Sequence, residues 1–128
     1  AETSTLICID PRCRPEFSEN IRAYQHKVLW IKASSRVALR EPTFRMDSIH
    51  FAYIDGDHSA PNVLEDAVLL FPLLVAGGIL IFDDYQWRSR TPDVEQSMPR
   101  LAIDAFLSVY QNQVKLIHRQ YQVCLEKE

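Results

Sequence analysis

The sequence predicts an α/β protein: a mostly parallel sheet covered by helices and ended by an antiparallel β-hairpin. Three observations carry that expectation. Short apolar runs alternate with segments of helical spacing along most of the chain, the pattern of parallel strands joined by helical crossovers. Two of those runs stop abruptly in acids, residues 51–54 at Asp55 and residues 79–82 at Asp83 and Asp84. The last two runs have almost no connection between them, which forces that pair antiparallel.

The elements follow in order. Residues 5–9 form an apolar run ending in Asp10, and Pro11 forbids its simple continuation. Pro15 suits the first turn of a helix carrying Phe17, Ile21 and Tyr24. Residues 28–31 are a second strand, ended by Ala33, Ser34 and Ser35, which can cap a short helix over 36–40 before Pro42. Residues 47–54 are the third strand. A helix then starts at Ser59 or Asn62 with Val63, Leu64, Ala67, Val68 and Phe71 at helical spacing. Pro72 shortens it, and Gly77-Gly78 is expected to supply its positive-φ stop. Residues 79–82 are the fourth strand. Past Trp87, residues 88–93 are a polar, proline-bearing loop long enough for a lid. Residues 94–110 read as a helix, with Pro99 as the alternative start, and residues 114–118 and 121–125 as the hairpin.

The 128 residues suffice for one domain with a real core and are too few for two ordinary ones, so residues 1–128 are expected to form a single domain. A net charge of −3 gives no basic field, so no nucleic-acid partner is expected. No apolar run reaches the ~20 residues of a membrane span. Cys8, Cys13 and Cys124 lack metal-ligand spacing; Cys8 and Cys124 lie in apolar runs and read as buried thiols. A reducing, cytoplasmic location fits these features.

Ligands of open α/β sheets bind beyond the carboxyl ends of the strands. Here those ends carry Asp10, Ser34, Ser35, Asp55, Asp57, Asp83 and Asp84. Carboxylates held close repel one another, and a hard divalent cation with oxygen ligands relieves this, Mg²⁺, Mn²⁺ or Ca²⁺ ahead of Zn²⁺. The bland alternative is that these acids cap helices or face solvent. His58, directly after the acidic tip, is a candidate general base, or a loop histidine bonded to backbone. Tyr85 and Trp87 either wall a pocket for a flat substrate or pack the loop. His26, His50 and His118 have no comparable company.

Taken together, Ile9-Asp10, Ala33-Ser34-Ser35, Tyr53-Ile-Asp-Gly-Asp-His-Ser59, Gly77-Gly-Ile-Leu-Ile-Phe-Asp-Asp-Tyr85 and the terminal hairpin resemble the class I S-adenosylmethionine-dependent methyltransferases. More narrowly they resemble the small-molecule O-methyltransferases. The resemblance implies a doubly wound, Rossmann-like sheet. It implies S-adenosylmethionine as cofactor, with Asp10 on its ribose, Ser34 and Ser35 near its adenine, and Asp55 bordering it. It further implies metal ligation by Asp55, Asp83 and Asp84, as in the catechol and caffeoyl-CoA branch, and His58 where that branch places a catalytic lysine. Asp84 stands where the branch has an asparagine.

The family opens with a strand and a glycine-rich turn, whereas the only glycines here are Gly56, Gly77 and Gly78. By the resemblance, the first strand of this chain is the family's second, and the expectation is a domain truncated at its N-terminus. Strand edges left by a missing central strand predict a homo-oligomer. The functional expectation is S-adenosylmethionine-dependent, metal-assisted O-methylation of a small-molecule acceptor, or an inactive remnant of that activity in a truncated chain. A non-catalytic dimeric binding or structural module is the alternative. A third reading is a haloacid-dehalogenase-like phosphatase, whose Asp-x-Asp motif Asp55 and Asp57 resemble.

Overall fold

The computed structural model describes residues 4–12, 14–89 and 98–128. Cys13, most of the expected lid and the first residues of the expected helix over 94–110 lie outside them. The chain divides into two compact units, residues 1–41 and 42–128. Each is described by itself.

In the first unit, β1 (Leu6–Ile9) and β2 (Val28–Ile31) pair in parallel, with Ile9 opposite Ile31. Between them run α1 (Pro15–Asn20), with its proline at the start as expected, and a 3₁₀ segment, Arg22–Lys27. The α-helix is thus shorter than the spacing of Phe17, Ile21 and Tyr24 implied. None of its residues is buried, so no packing face sustains more turns. The second strand ends in α2 (Ser35–Ala38), with Ser34 at the N-cap.

In the second unit, β3 (Ile49–Ile54), β4 (Leu74–Phe82), β5 (Val114–Arg119) and β6 (Val123–Lys127) make one sheet in the order β3-β4-β6-β5. The β3–β4 pair is parallel, and β6 runs antiparallel to both β4 and β5. The mixed, Rossmann-like α/β architecture expected from the sequence is therefore present, with its C-terminal hairpin. Helices α3 (Ala60–Leu70) and α4 (Pro99–Val109) share one core with one face of this sheet. That face presents Ala52, Ile54, Leu80, Phe82, Val123 and Leu125, alternate residues of their strands, as period-two burial requires. Phe106 of α4 is fully buried among Phe71, Phe82 and Tyr110, with ring centroids 4.4–5.6 Å away. On the opposite face, Phe51 and Tyr53 remain exposed.

The glycine pair departs from expectation. A 3₁₀ turn, Phe71–Leu73, ends α3 at the proline, and β4 runs through both glycines. Ile49 pairs with Leu74 but Phe51 with Ile79, so the strand bulges there. Gly77 takes φ +77°, and a Cβ on Gly78 would stand 2.8 Å from the Val75 carbonyl oxygen. The pair serves a bulge in a strand that starts five residues earlier than expected. Proline did start α4: Met98 is its N-cap and Pro99 its first residue.

Candidate active site

The parallel register of β3 and β4 sets Ile54 opposite Phe82, so Asp55 and Asp83 leave the sheet side by side. The Asp83 N–H donates to the Ile54 carbonyl at 3.0 Å, extending the ladder into the acidic tip. Asp55, Asp83 and Asp84 converge, each offering an oxygen within 4.8 Å of the others. Among the described residues they are the group of acids, histidines and cysteines placed to share one metal ion. A small pit of about 10 Å³, room for roughly one water-sized sphere, is lined by these three acids and by Asp57 and His58.

Asp84 has φ +58°, a left-handed backbone that asparagine and aspartate tolerate better than most residues. Its carboxylate meets His58 Nε2 at 2.7 Å through Oδ2 and accepts the Tyr121 hydroxyl at 2.7 Å through Oδ1. The His58 ring also stacks on Trp87, centroids 4.6 Å apart and planes 25° apart. Asp83 accepts the Tyr53 hydroxyl at 2.8 Å through Oδ2 and the Gln122 amide at 3.1 Å through Oδ1. Tyr85 turns the other way: it is buried, and its hydroxyl donates to Asp104 at 2.9 Å. Of the two aromatics after the second acidic tip, Trp87 faces the site and Tyr85 packs away from it.

The surroundings push the Asp55 and Asp83 carboxyls in opposite directions. Partial burial and then the charges of Asp83 and Asp84 hold the Asp55 carboxyl above the ordinary carboxylate range, with His58 opposing. Burial pushes Asp83 up, but hydrogen bonds from Tyr53 and Gln122 outweigh it and leave Asp83 below that range. Burial and the bond to Asp83 raise the Tyr53 phenol to about 12, so it stays a donor. Its bond to Asp84 likewise raises the Tyr121 phenol.

Asp57 stands apart from this cluster. Its Oδ1 accepts the Ser59 N–H at 2.7 Å, and that bond holds its carboxyl below the usual range. It shapes the turn into α3, the bland role considered for such acids. Of the two acids of the phosphatase-like Asp-x-Asp, Asp55 belongs to the candidate metal-ligand group and Asp57 does not.

The remaining candidates belong to the first unit. Asp10 follows β1 and Ser34 and Ser35 follow β2, so the parallel pair delivers all three at the same end of its strands. Asp10 Oδ1 accepts the Arg12 N–H at 2.6 Å, and Trp30 Nε1 donates to the Asp10 carbonyl at 3.2 Å. Ser34 makes no side-chain cap bond. Cys8 and Cys124 are free and only partly buried, and burial raises both thiols. His26, His50 and His118 are exposed.

Tyr53, Tyr121 and Gln122 were not singled out by sequence. Tyr53 had a signal, since in a strand it shares a side with Asp55 two residues on. Tyr121 and Gln122 arrive from a turn nearly forty residues beyond Asp83, and no local pattern announces them.

Comparison with known proteins addresses the family and the fold. The family profile described as "Methyltransferase domain" matches residues 1–85. Uncharacterized protein R132 of Acanthamoeba polyphaga mimivirus is 29% identical over 108 residues, 77% of this chain and 49% of that protein. The chain thus spans about half the length of the curated relative it matches. Among solved structures, the MycE methyltransferase of the mycinamycin biosynthetic pathway, in complex with Mg and SAH, superposes with a TM-score of 0.68 at 13% identity. It covers 96% of this chain and 37% of its own. The O-methyltransferase NovP gives a TM-score of 0.63 at 22% identity, over 88% of this chain and 43% of its own. No helix among the described residues is long and apolar enough to cross a membrane. With a profile match over more than half its length, the chain belongs to the methyltransferase-domain family, and its fold is that of the class I S-adenosylmethionine-dependent methyltransferases.

Proposed function

We propose that this chain is the catalytic-edge portion of a metal-assisted O-methyltransferase acting on a small-molecule hydroxyl. The observation that carries the reading is the convergence of Asp55, Asp83 and Asp84 within 4.8 Å, next to His58. Three converging carboxylates beside an ion-sized pit fit a hard divalent cation, whose charge would offset the repulsion among them. When bound there, Mg²⁺ or a similar ion lowers the pKa of an acceptor hydroxyl. His58 takes the proton which that hydroxyl gives up as its oxygen is methylated. Its stack on Trp87 and its bond to Asp84 hold the ring at the rim of the pit. Asp10 accepts hydrogen bonds from the ribose of S-adenosylmethionine, and Ser34 and Ser35 lie beside its adenine. Asp55 borders both the cofactor and the metal.

Residues 1–128 work, in this reading, as one methyltransferase-like domain. The second edge of β3 has no strand partner among the described residues, which supports self-association through strand edges. A strictly monomeric species in size-exclusion chromatography removes that element of the proposal. The function itself is tested by calorimetric titration of S-adenosylmethionine with and without Mg²⁺. Binding that tightens with Mg²⁺ supports it. The absence of heat in both titrations, at high ligand concentration, overturns it and favours the non-catalytic module.

A further inference from the structure

The four carboxylate oxygens of Asp83 and Asp84 each meet one side chain: Gln122, Tyr53, Tyr121 and His58. Two of these partners, Tyr121 and Gln122, come from the turn between β5 and β6. We propose that this turn is a working part of the site. Tyr121 and Gln122 are positioning residues that fix the rotamers of the acid pair for a divalent cation. The inference rests on the metal-assisted reading above.

Three features argue for it. An ionised carboxylate oxygen accepts two hydrogen bonds, so one donor on each pins the group and leaves a lone pair for a metal. Tyr121 is 48% exposed, so burial of its ring does not explain why its hydroxyl is held on Asp84. The turn is also tied by its backbone to the acidic tip. The Tyr85 N–H, next to Asp84, donates to the Tyr121 carbonyl at 2.9 Å, and within the turn the Gln120 N–H donates to the Gln122 carbonyl at 2.9 Å. Gln122 Nε2 further donates to the Tyr53 hydroxyl at 2.9 Å, so the donors on Asp83 brace each other. Partners that orient ligating groups in this way govern metal affinity without touching the metal.

The test is Mn²⁺ binding, read by electron paramagnetic resonance of the free ion, on the wild-type chain and on Asp83→Asn, Asp84→Gly (which suits the φ of +58° and removes the ligand oxygens), Tyr121→Phe and Gln122→Leu. Thermal midpoints in chelator check that each variant folds. Tyr121→Phe and Gln122→Leu are expected to bind Mn²⁺ about tenfold more weakly at an unchanged metal-free midpoint. Adding Tyr121→Phe to Asp84→Gly, which leaves the Tyr121 hydroxyl no carboxylate to hold, is expected to cause no further loss. Gln122→Asn, which keeps the amide but shortens its reach, gives the same readout should the leucine variant unfold. Wild-type affinity in the Tyr121 and Gln122 variants, with loss in the aspartate variants, overturns the positioning role and leaves the metal reading intact. A wild-type chain that binds no Mn²⁺, or aspartate variants that bind it normally, overturns the metal reading and this inference with it.

Discussion

Asp55→Asn should make the metal-free chain more stable while weakening its hold on metal. In the folded chain Asp55 stands within 4.8 Å of two other carboxylates. At that spacing each pair of charges repels by roughly 3.5 kcal/mol at an effective dielectric of about 20, and by roughly 0.9 kcal/mol in bulk water. Asp55 is exposed, so the lower value governs; two such pairs, reduced by salt screening and by the opposing His58, leave an expected stabilisation of about 1 kcal/mol on removing its charge near neutral pH. The sign follows from proton linkage. The folded-state pKa of Asp55 is raised, so between the unfolded and folded values the folded chain binds more protons, and stability falls as pH rises. The penalty is absent below the ordinary carboxylate pKa of about 3.9 and complete above the raised value. Urea denaturation in chelator should therefore show the variant ahead at pH 7 and level with wild type near pH 4. On the metal-assisted reading proposed above, saturating Mg²⁺ should reverse the order, because a ligand that binds only the folded state stabilises it. Equal or lower stability of the variant at pH 7 in chelator would refute the picture of unrelieved repulsion.

Phe106→Ala should cost about 3–5 kcal/mol, since the ring is fully buried against three other aromatics; chemical denaturation that finds under 1 kcal/mol would contradict this packing. Gly78→Ala should cost about 1–3 kcal/mol, because its Cβ meets a backbone oxygen that only a shift of the bulge can move away; the thermal midpoint reads it. Asp57→Ala should cost about 1 kcal/mol through loss of the bond from the Ser59 N–H. Since that bond lowers the Asp57 pKa, its contribution is present above the ordinary carboxylate value and fades as pH falls through the lowered one. Denaturation of wild type and variant across pH 2–7 measures the convergence.

Alternation of apolar runs and helical spacing was enough to read the strands, because burial of one sheet face imposes period two on β3, β4 and β6. It also placed Asp55 and Asp83 at neighbouring strand ends, which needs only that the strands be parallel. The glycine pair was misread because glycine at positive φ ends helices and makes bulges by the same conformational freedom. Only the pairing of Ile49 with Leu74 distinguishes the two roles, and that is a tertiary fact. Asp57 illustrates a related limit. Two residues from Asp55 it looks like a second member of the cluster, yet a backbone N–H within the same turn claims it first. The donors on Asp83 and Asp84 come from a strand thirty residues before and a turn nearly forty after, so only the folded sheet assembles them.

The left-handed backbone at Asp84 bears on how this position can drift. Glycine, asparagine and aspartate are the residues that occupy such a conformation cheaply, and two of those three carry an oxygen able to ligate a metal. The main chain thus acts as a sieve on mutation here, passing the acid and its amide alike and resisting most other side chains. An exchange of asparagine for aspartate, the departure noted from the sequence, crosses that sieve without disturbing the fold. It alters the charge of the cluster and leaves an oxygen at the same backbone position.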